Sequence, residues 1–478
     1  MQTLLPGIAL ERVPTERLTM AVLSVAGRPG EPVLFVHGNV SSSLFWQRTM
    51  LALPERYRPL AVDLRGFGDT DPAPVDATRG LRDYADDVAA LIEALALTSV
   101  HLVGWSMGGG VLLQYLADRP TTHAAASVTL EAPVAPFGFG GTYGTEGTLC
   151  DPAGTGSGGG SANADFVARL AAGDRSADGP TSPRQVLLAH YVKPPFVPTD
   201  LDIFVESMLS TRVGDDHYPG TSSPVPAWPG FGPGDRGVLN TMAPTHFRIA
   251  SLATVEPKPP VLWVRGTDDV IVSDTSLYDL GYLGSIGAVP GWPGPDAWPP
   301  QPMVAQTRGL LDDYAAAGGR YRETVIQDSG HGPHLDQAEQ FLAALTRHLA
   351  GASAAGLRLA DLDRGPVGAD LLPDVPQVVG VEAHGEHRVG TALLRRLDQP
   401  VLGLDAAVVE HFRHAPELAA DHRLEPGAEL GTHVAATHSD AKDLAEDFSH
   451  LISGQIIHRT YQHVTSLLFF VDRGSSGR

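Results

Sequence analysis

The chain of 478 residues contains little cysteine and little lysine, and it lacks long apolar runs. Cys150 is its only cysteine, which excludes an intramolecular disulfide and predicts a reducing, cytoplasmic location. Every apolar run is shorter than the ~20 residues that a membrane span requires. The first ten residues lack the basic segment that opens a secretory signal peptide, so we expect no export signal.

Positive charge is also scarce. Only Lys193, Lys258 and Lys442 are lysines, and the formal net charge is −21. Nucleic acids and anionic membrane surfaces would repel such a chain, which argues against both as partners. We therefore expect a small-molecule partner.

Glycine is plentiful, and one glycine-rich stretch is the most informative part of the sequence. The apolar run 100–103 leads into Gly104, Trp105, Ser106, Met107 and Gly108, a G-x-S-x-G pattern, and residues 111–116 then follow helical spacing. A strand, a sharp turn and a helix are the context in which this pattern exposes a nucleophilic serine. The turn leaves room only for very small side chains two positions either side of Ser106.

Short apolar runs alternate with helical patterns in two parts of the chain. The runs are 32–36, 59–62, 100–103, 127–130, 260–264 and 321–326. Continuous apolar strands between helices predict an α/β fold with a mostly parallel sheet, covered by helices on both faces. The alternation stops between residues 133 and 257. We therefore predict a core of residues 1–132 and 258–351, an inserted cap of 133–257 and an extension of 352–478.

With these motifs in order, residues 15–350 resemble the α/β-hydrolase fold family, cap included. The matching segments are 37–39, 63–68, 104–108, 266–272 and 328–334. They follow the family's order, including the order serine, aspartate, histidine. The resemblance implies a hydrolase in which Ser106 is the nucleophile.

The resemblance also implies the two partners of Ser106. A weak serine nucleophile needs a base, and His331 occupies the family's position, with His334 as the rival. A carboxylate must orient that imidazole, and the third residue after Gly266 is Asp269. Asp268 remains the alternative acid.

The oxyanion donors follow from the same resemblance. The backbone N–H groups of Met107 and Asn39 are predicted to hold the developing negative charge. A serine at the sharp turn between strand and helix favours acyl transfer, whereas haloalkane dehalogenases and epoxide hydrolases of this fold carry an aspartate at that position. A carboxylic ester or lactone is the expected substrate and no cofactor is expected. The alternatives are an amide or C–C bond hydrolase with the same residues, or a non-catalytic binding protein.

Aromatic side chains in the cap predict an apolar or aromatic acyl substrate. Trp105, Phe137, Phe139 and Trp228 are the candidate substrate-binding residues, although cap aromatics can equally form the cap's own core. The other aromatic residues of the cap that support this interpretation are Tyr143, Tyr191, Phe196, Tyr218 and Phe231.

The extension 352–478 resembles no family, and it is predicted to contain a strand at 377–381 and helices at 406–422 and 439–471. Its pairs His384/His387 and His411/His414 lack a cysteine partner, so we expect no metal site. An apolar stripe in 439–471 makes the extension a candidate for homo-oligomer assembly or for bracing the cap.

Overall fold

The structure, a computed structural model, describes residues 2–362, with side chains described up to residue 354. The elements predicted at 377–381, 406–422 and 439–471, the histidine pairs and the assembly surface lie outside these residues. Within the described part no helix is both long and apolar enough to cross a bilayer.

An eight-stranded sheet organises the described residues. Its strands are β1 (Ile8–Pro14), β2 (Thr19–Val25), β3 (Glu31–Val36), β4 (Tyr57–Val62), β5 (Val100–Trp105), β6 (Ala125–Glu131), β7 (Val261–Gly266) and β8 (Tyr321–Ile326). They are ordered β1-β2-β4-β3-β5-β6-β7-β8. β1 pairs with β2 and β2 with β4 in antiparallel fashion, and all other pairs are parallel.

The central strands are buried on both faces, as their apolar runs predict. Residues 33–36 of β3 and all six residues of β5 are buried. Helices cover the two faces, and in Arg82–Ala94 the side chains of Tyr84, Val88 and Leu91 recur at helical spacing and are fully buried. The carboxyl ends of the parallel strands therefore meet at one edge, which is where α/β sheets place their sites.

The helices lie before, within and after the insertion. The α-helices are α1 (Gln47–Ala52), α2 (Arg82–Ala94), α3 (Met107–Asp118), α4 (Ala164–Ala171), α5 (Pro183–Val186), α6 (Leu201–Leu209), α7 (Leu280–Ser285), α8 (Met303–Ala316), α9 (Pro333–Asp336) and α10 (Ala338–Leu362). A π-helical turn covers Leu187–Tyr191, and 3₁₀ turns cover Ser43–Trp46, Ala77–Arg79, Gly159–Ser161 and Leu239–Met242.

The chain leaves the sheet after β6 and returns at β7, its neighbour in the sheet. Between them lie helices and three short strand pairs, namely Thr142–Tyr143 with Thr148–Leu149, Val213–Gly214 with Tyr218–Pro219, and Ser222–Pro224 with Phe231–Pro233. The sequence did not predict these pairs, because strands of two or three residues carry no periodicity. The limits 133 and 257 stay a prediction, and we call this segment the cap.

Two further differences concern the ends of the described fold. The antiparallel hairpin β1–β2 was not among the predicted strands. Helix α10 runs to Leu362, so the predicted boundary at residue 351 lies inside a helix rather than in a linker. No proline interrupts the sequence between residues 338 and 362, and Gly351, the helix-ending signal near the predicted boundary, lies within the helix.

Candidate active site

Ser106 lies at the turn between β5 and α3 in a strained backbone conformation. Its φ is 55° and its ψ is −118°, a region that side-chain-bearing residues rarely adopt. A Cβ on Gly104 would lie 2.5 Å from the carbonyl oxygen of Gly108, so this turn requires glycine. Between residues 100 and 116 only Ser106 is not buried, which leaves its hydroxyl accessible.

His331 follows β8 and is hydrogen-bonded to the carboxylate that follows β7. Its Nδ1 lies 2.9 Å from Oδ2 of Asp269, and both side chains are almost fully buried. Because an ionised carboxylate can only accept, Nδ1 carries the proton and Nε2 is left as an acceptor. This is the tautomer that a general base for a serine hydroxyl needs.

Asp269 and Asp268 have different surroundings. Oδ1 of Asp269 also accepts the N–H groups of Ile271 at 2.8 Å and Val272 at 3.0 Å, which fixes the carboxylate toward the imidazole. The side chain of Asp268 is 40% exposed and lies 3.2 Å from Nζ of Lys193. The geometry brings Asp269, not Asp268, to His331.

His334, the rival base, is locked inside the core. Its side chain is fully buried, stacks on Trp46 with ring centroids 4.3 Å apart, and places Nδ1 2.9 Å from Oε1 of Glu131. The same oxygen accepts the backbone N–H of His334 at 2.9 Å. An imidazole with these contacts cannot turn toward Ser106.

Glu131 was not singled out from the sequence. It ends β6 with a fully buried side chain, and its backbone oxygen accepts the N–H of Ser106 at 2.8 Å. Glu131 therefore links the turn of Ser106 to the loop after His331. A glutamate at the end of an apolar strand was the available signal, since buried carboxylates need partners.

Asp336 braces the histidine loop from its other side. Its carboxylate accepts the hydroxyl of Ser329 at 2.6 Å and the N–H groups of Gly330 at 2.7 Å and Lys193 at 2.8 Å. Asp336 thus fixes the approach to His331 and also holds a cap residue against it.

Trp105 connects the turn of Ser106 with His331. Its Nε1 donates to the backbone oxygen of His331 at 2.9 Å, and the two rings are 5.5 Å apart. Among the described residues no hydrogen bond joins Ser106 Oγ to His331 Nε2. Such catalytic hydrogen bonds often form only when substrate binds.

The loop after β3 lies directly beside Ser106. A Cβ on Gly38 would lie 3.0 Å from Cβ of Ser106. His37 braces this loop, because its Nε2 accepts the N–H of Leu64 at 3.0 Å and its Nδ1 lies 2.7 Å from the oxygen of Gly38. Burial lowers the pKa of His37 to about 4, which keeps its ring neutral.

The two predicted oxyanion donors remain available. Within the described residues, neither the N–H of Met107 nor that of Asn39 donates a hydrogen bond. Met107 is the first residue of α3, where the helix dipole favours negative charge. The amide oxygen of Asn39 is buried without a hydrogen-bond partner within residues 2–362.

The predicted substrate-binding residues are dispersed. Trp105 is 1% exposed and packs beneath the site, so it acts there through contacts to other residues. Phe139 packs against a small cluster of Ala135, Val272 and Met303, and Val272 belongs to the loop after β7 that carries Asp269. Phe137 lies under the guanidinium of Arg248.

The described contacts of Trp228 do not involve Ser106, Asp269 or His331. Its Nε1 donates to the oxygen of Pro290 at 3.0 Å, and its ring packs edge-on against Trp298 at 5.3 Å. Pro290 and Trp298 both lie in the loop between α7 and α8, so Trp228 packs between the cap and that loop. As for metals, no group of three or more potential ligand side chains is assembled within residues 2–362.

Part of this chain is similar in sequence to known proteins. Residues 31–142 match the model of the alpha/beta hydrolase fold family. The Arabidopsis thaliana protein named "Probable lysophospholipase BODYGUARD 4" is 39% identical over 108 residues, which are 22% of this chain and 25% of that protein. A non-heme chloroperoxidase of Streptomyces lividans is 39% identical over 106 residues, 22% of this chain and 38% of the relative. Both matches span less than two fifths of the relative's own length.

A solved structure of the esterase EaEST from Exiguobacterium antarcticum is similar to 71% of this chain and 98% of its own chain, at 19% identity and a TM-score of 0.43. The predicted α/β class with a mostly parallel sheet is confirmed by the observed strand order and by the family match. Residues 31–142 of this chain are thus similar to the α/β hydrolase fold family.

Proposed function

We propose that this protein is a serine hydrolase that cleaves a carboxylic ester or a lactone through an acyl-enzyme intermediate. The observation that carries the proposal is the buried 2.9 Å contact between His331 Nδ1 and Asp269, at the same sheet edge as the strained turn of Ser106. A serine nucleophile on this edge can form an ester with an acyl group.

In the first half-reaction, Oγ of Ser106 attacks the carbonyl carbon while Nε2 of His331 takes the hydroxyl proton. The carbonyl oxygen becomes an oxyanion, which the N–H groups of Met107 and Asn39 stabilise. Asp269 stabilises the imidazolium. The C–O bond to the leaving alcohol then breaks, and His331 returns its proton to that oxygen.

In the second half-reaction, a water molecule gives a proton to His331 and attacks the acyl-enzyme carbonyl. The ester bond to Ser106 breaks, the serine oxygen regains a proton from His331, and the carboxylic acid leaves. Water is the only co-reactant, and no redox change occurs in either half.

The surroundings favour a neutral acyl substrate. Phe139 packs beside the acid loop, and Tyr191 of the cap packs near the base, with ring centroids 6.4 Å apart. The nearby cation Lys193 is neutralised by Asp268 and by Asp328, whose Oδ1 lies 2.7 Å from Nζ. An anionic substrate would therefore meet no unpaired cation at Lys193.

Covalent labelling tests the nucleophile. The intact protein is treated with a fluorophosphonate, and peptide mass spectrometry should place one adduct on Ser106. Ser106→Ala should lose the label and lower kcat by about 10⁵-fold while keeping its circular dichroism spectrum. Ser251→Ala, an exposed serine of the cap, is the matched control and should keep both label and rate.

A substrate panel then decides the bond that is cleaved. Acyl p-nitrophenyl esters and lactones should be hydrolysed faster than the matching amides and β-diketones. Hydrolysis of the β-diketones alone would favour C–C bond cleavage instead. A protein that is neither labelled nor active on any of these compounds would be a binding protein.

A further inference from the structure

Tyr191, the last residue of the π-helical turn 187–191, reaches from the cap into the loop that follows β3. Its ring is 7% exposed, and its hydroxyl lies 3.2 Å from the backbone oxygens of both Asn39 and Val40. Burial raises the pKa of Tyr191 well above its ordinary value, so the phenol keeps the proton that it donates to these oxygens.

The loop that Tyr191 contacts is strained. Val40 has a φ of 47°, in the left-handed region that a β-branched residue rarely enters. Such a conformation persists only when the surrounding contacts hold it. The hydroxyl of Tyr191 holds the carbonyl oxygen on each side of that strained residue, so it opposes relaxation of Val40.

Strain at Val40 matters because the preceding residue is the proposed oxyanion donor. The N–H of Asn39 shares a peptide plane with the carbonyl of Gly38, and in a trans peptide the two groups point in opposite directions. The Gly38 oxygen is held by His37 Nδ1 at 2.7 Å and by the hydroxyl of Ser41 at 2.9 Å. The core therefore fixes one side of Asn39, and Tyr191 fixes the other.

The same residue also contacts the other two loops of the site. Its ring packs edge-on against Trp105 with centroids 5.6 Å apart, and its backbone oxygen accepts the N–H of Gly332 at 2.8 Å. Trp105 precedes the nucleophile and Gly332 follows the base. One cap residue thus touches the loops that carry the nucleophile, the base and the oxyanion donor.

We propose that Tyr191 is a positioning residue for the hydrolytic reaction: its hydroxyl holds the strained Asn39–Val40 segment so that the Asn39 N–H is aimed at the oxyanion. This inference rests on the proposed function. It assigns the cap a part in transition-state stabilisation besides enclosing the substrate.

Tyr191→Phe tests the inference, because it removes the hydroxyl and keeps the ring and the backbone contact. With p-nitrophenyl butyrate as probe, we expect kcat to fall roughly tenfold with KM within about twofold of wild type, less than the loss of an oxyanion donor itself. The inhibition constant of an alkyl trifluoromethyl ketone, which forms a tetrahedral adduct, should rise by the same factor. That of the unfluorinated ketone should not change.

Tyr143→Phe is the matched control, since Tyr143 is a cap tyrosine with 42% of its surface exposed. It should change none of these constants. A purely structural role for Tyr191 would lower the melting temperature and leave kcat and the two inhibition constants at wild-type values, and that result would overturn the inference.

Val40→Gly provides the second test, because glycine adopts a positive φ at no steric cost. In the Val40→Gly background, the loss of kcat caused by Tyr191→Phe should shrink to about threefold or less. An undiminished loss in both backgrounds would show that the hydroxyl does not act through Val40. If wild type is labelled at Ser106 and active but Tyr191→Phe is equally active, only this inference fails. If wild type is neither labelled nor active, the proposed function itself fails.

Discussion

The sheet and the cap are held together in different ways. In the sheet, parallel strands share long hydrogen-bond ladders, and residues 33–36 of β3 are fully buried. In the cap, strands are two or three residues long, and most positive-φ glycines of the described chain lie between residues 138 and 237. Single polar side chains replace the ladders there.

Asn240 is the clearest example of such a side chain. It is fully buried, its Oδ1 accepts the N–H groups of Gly159 at 2.8 Å and Gly234 at 2.9 Å, and its Nδ2 donates to the oxygens of Thr221 and Arg236. The sheet and the cap therefore contribute to the site in different ways. The sheet fixes the reacting groups by repetitive backbone pairing, and the cap adds individual contacts to them.

The largest effect is expected at Asp269, a residue that the sheet places beside His331. Asp269→Asn keeps the shape but removes the charge that orients His331, so kcat should fall by about 10⁴-fold. Asp268→Asn, one residue away and 40% exposed, should change kcat by less than about fivefold. Steady-state kinetics on an ester probe measures both. A larger loss of kcat for Asp268→Asn would show that Asp268, not Asp269, orients His331.

These particular residues show what local sequence could predict. Ser106, Asp269 and His331 each follow a strand in a short pattern, so their sheet edge could be predicted without tertiary information. Glu131 could not be recognised in this way, because its partner His334 is 203 residues away in the chain. Trp105 was predicted to contact substrate, but its flanking residues carry no sign that its indole donates to the oxygen of His331.

The cap was harder to predict for a related reason. Its turns are set by glycines and by contacts such as those of Asn240, whose partners are up to 81 residues away. Tyr191 was recognised only as one cap aromatic among several. Its contact with Val40 depends on a π-helical turn that no periodic pattern indicates.

The next effect compares the stability of the two regions. Glu131→Ala removes the carboxylate that accepts both the backbone N–H and Nδ1 of the buried His334, and losing these two hydrogen bonds to a charged acceptor costs about 4 kcal/mol of unfolding free energy. Asn240→Ala removes four hydrogen bonds from the cap, two of them fully buried, at a cost of about 3 kcal/mol. Hydrogen exchange read by mass spectrometry locates each loss.

Glu131→Ala should speed exchange in β5, β6 and β7, and Asn240→Ala should speed it only in segments 154–164 and 218–242. Equal loss of protection in the strands after Asn240→Ala would mean that cap and sheet unfold as one unit. The stability of the cap would then not be separable from that of the sheet, despite their different patterns of hydrogen bonds.

The smallest effect is a pH dependence that belongs to the sheet. Burial lowers the pKa of His37 to about 4 from its ordinary value of 6.5, and the same holds for His348. As the pH falls from 6.5 toward 4, the unfolded chain therefore binds protons before the folded one does. The stabilisation is fully present above pH 6.5 and is lost as the pH falls through this window.

Urea titrations at intervals between pH 7 and pH 4 would measure this loss as a falling free energy of unfolding. His37→Gln removes one titrating group, so its curve should be flatter than that of wild type over the same window. His348→Gln should flatten the curve by a similar amount, and the double variant should retain only the slope of the remaining groups. If His37→Gln leaves the slope unchanged, His37 takes up its proton over the same pH range in the folded and the unfolded chain. That result would contradict the assignment of a neutral His37 ring that holds the Gly38 carbonyl and thereby orients the Asn39 N–H.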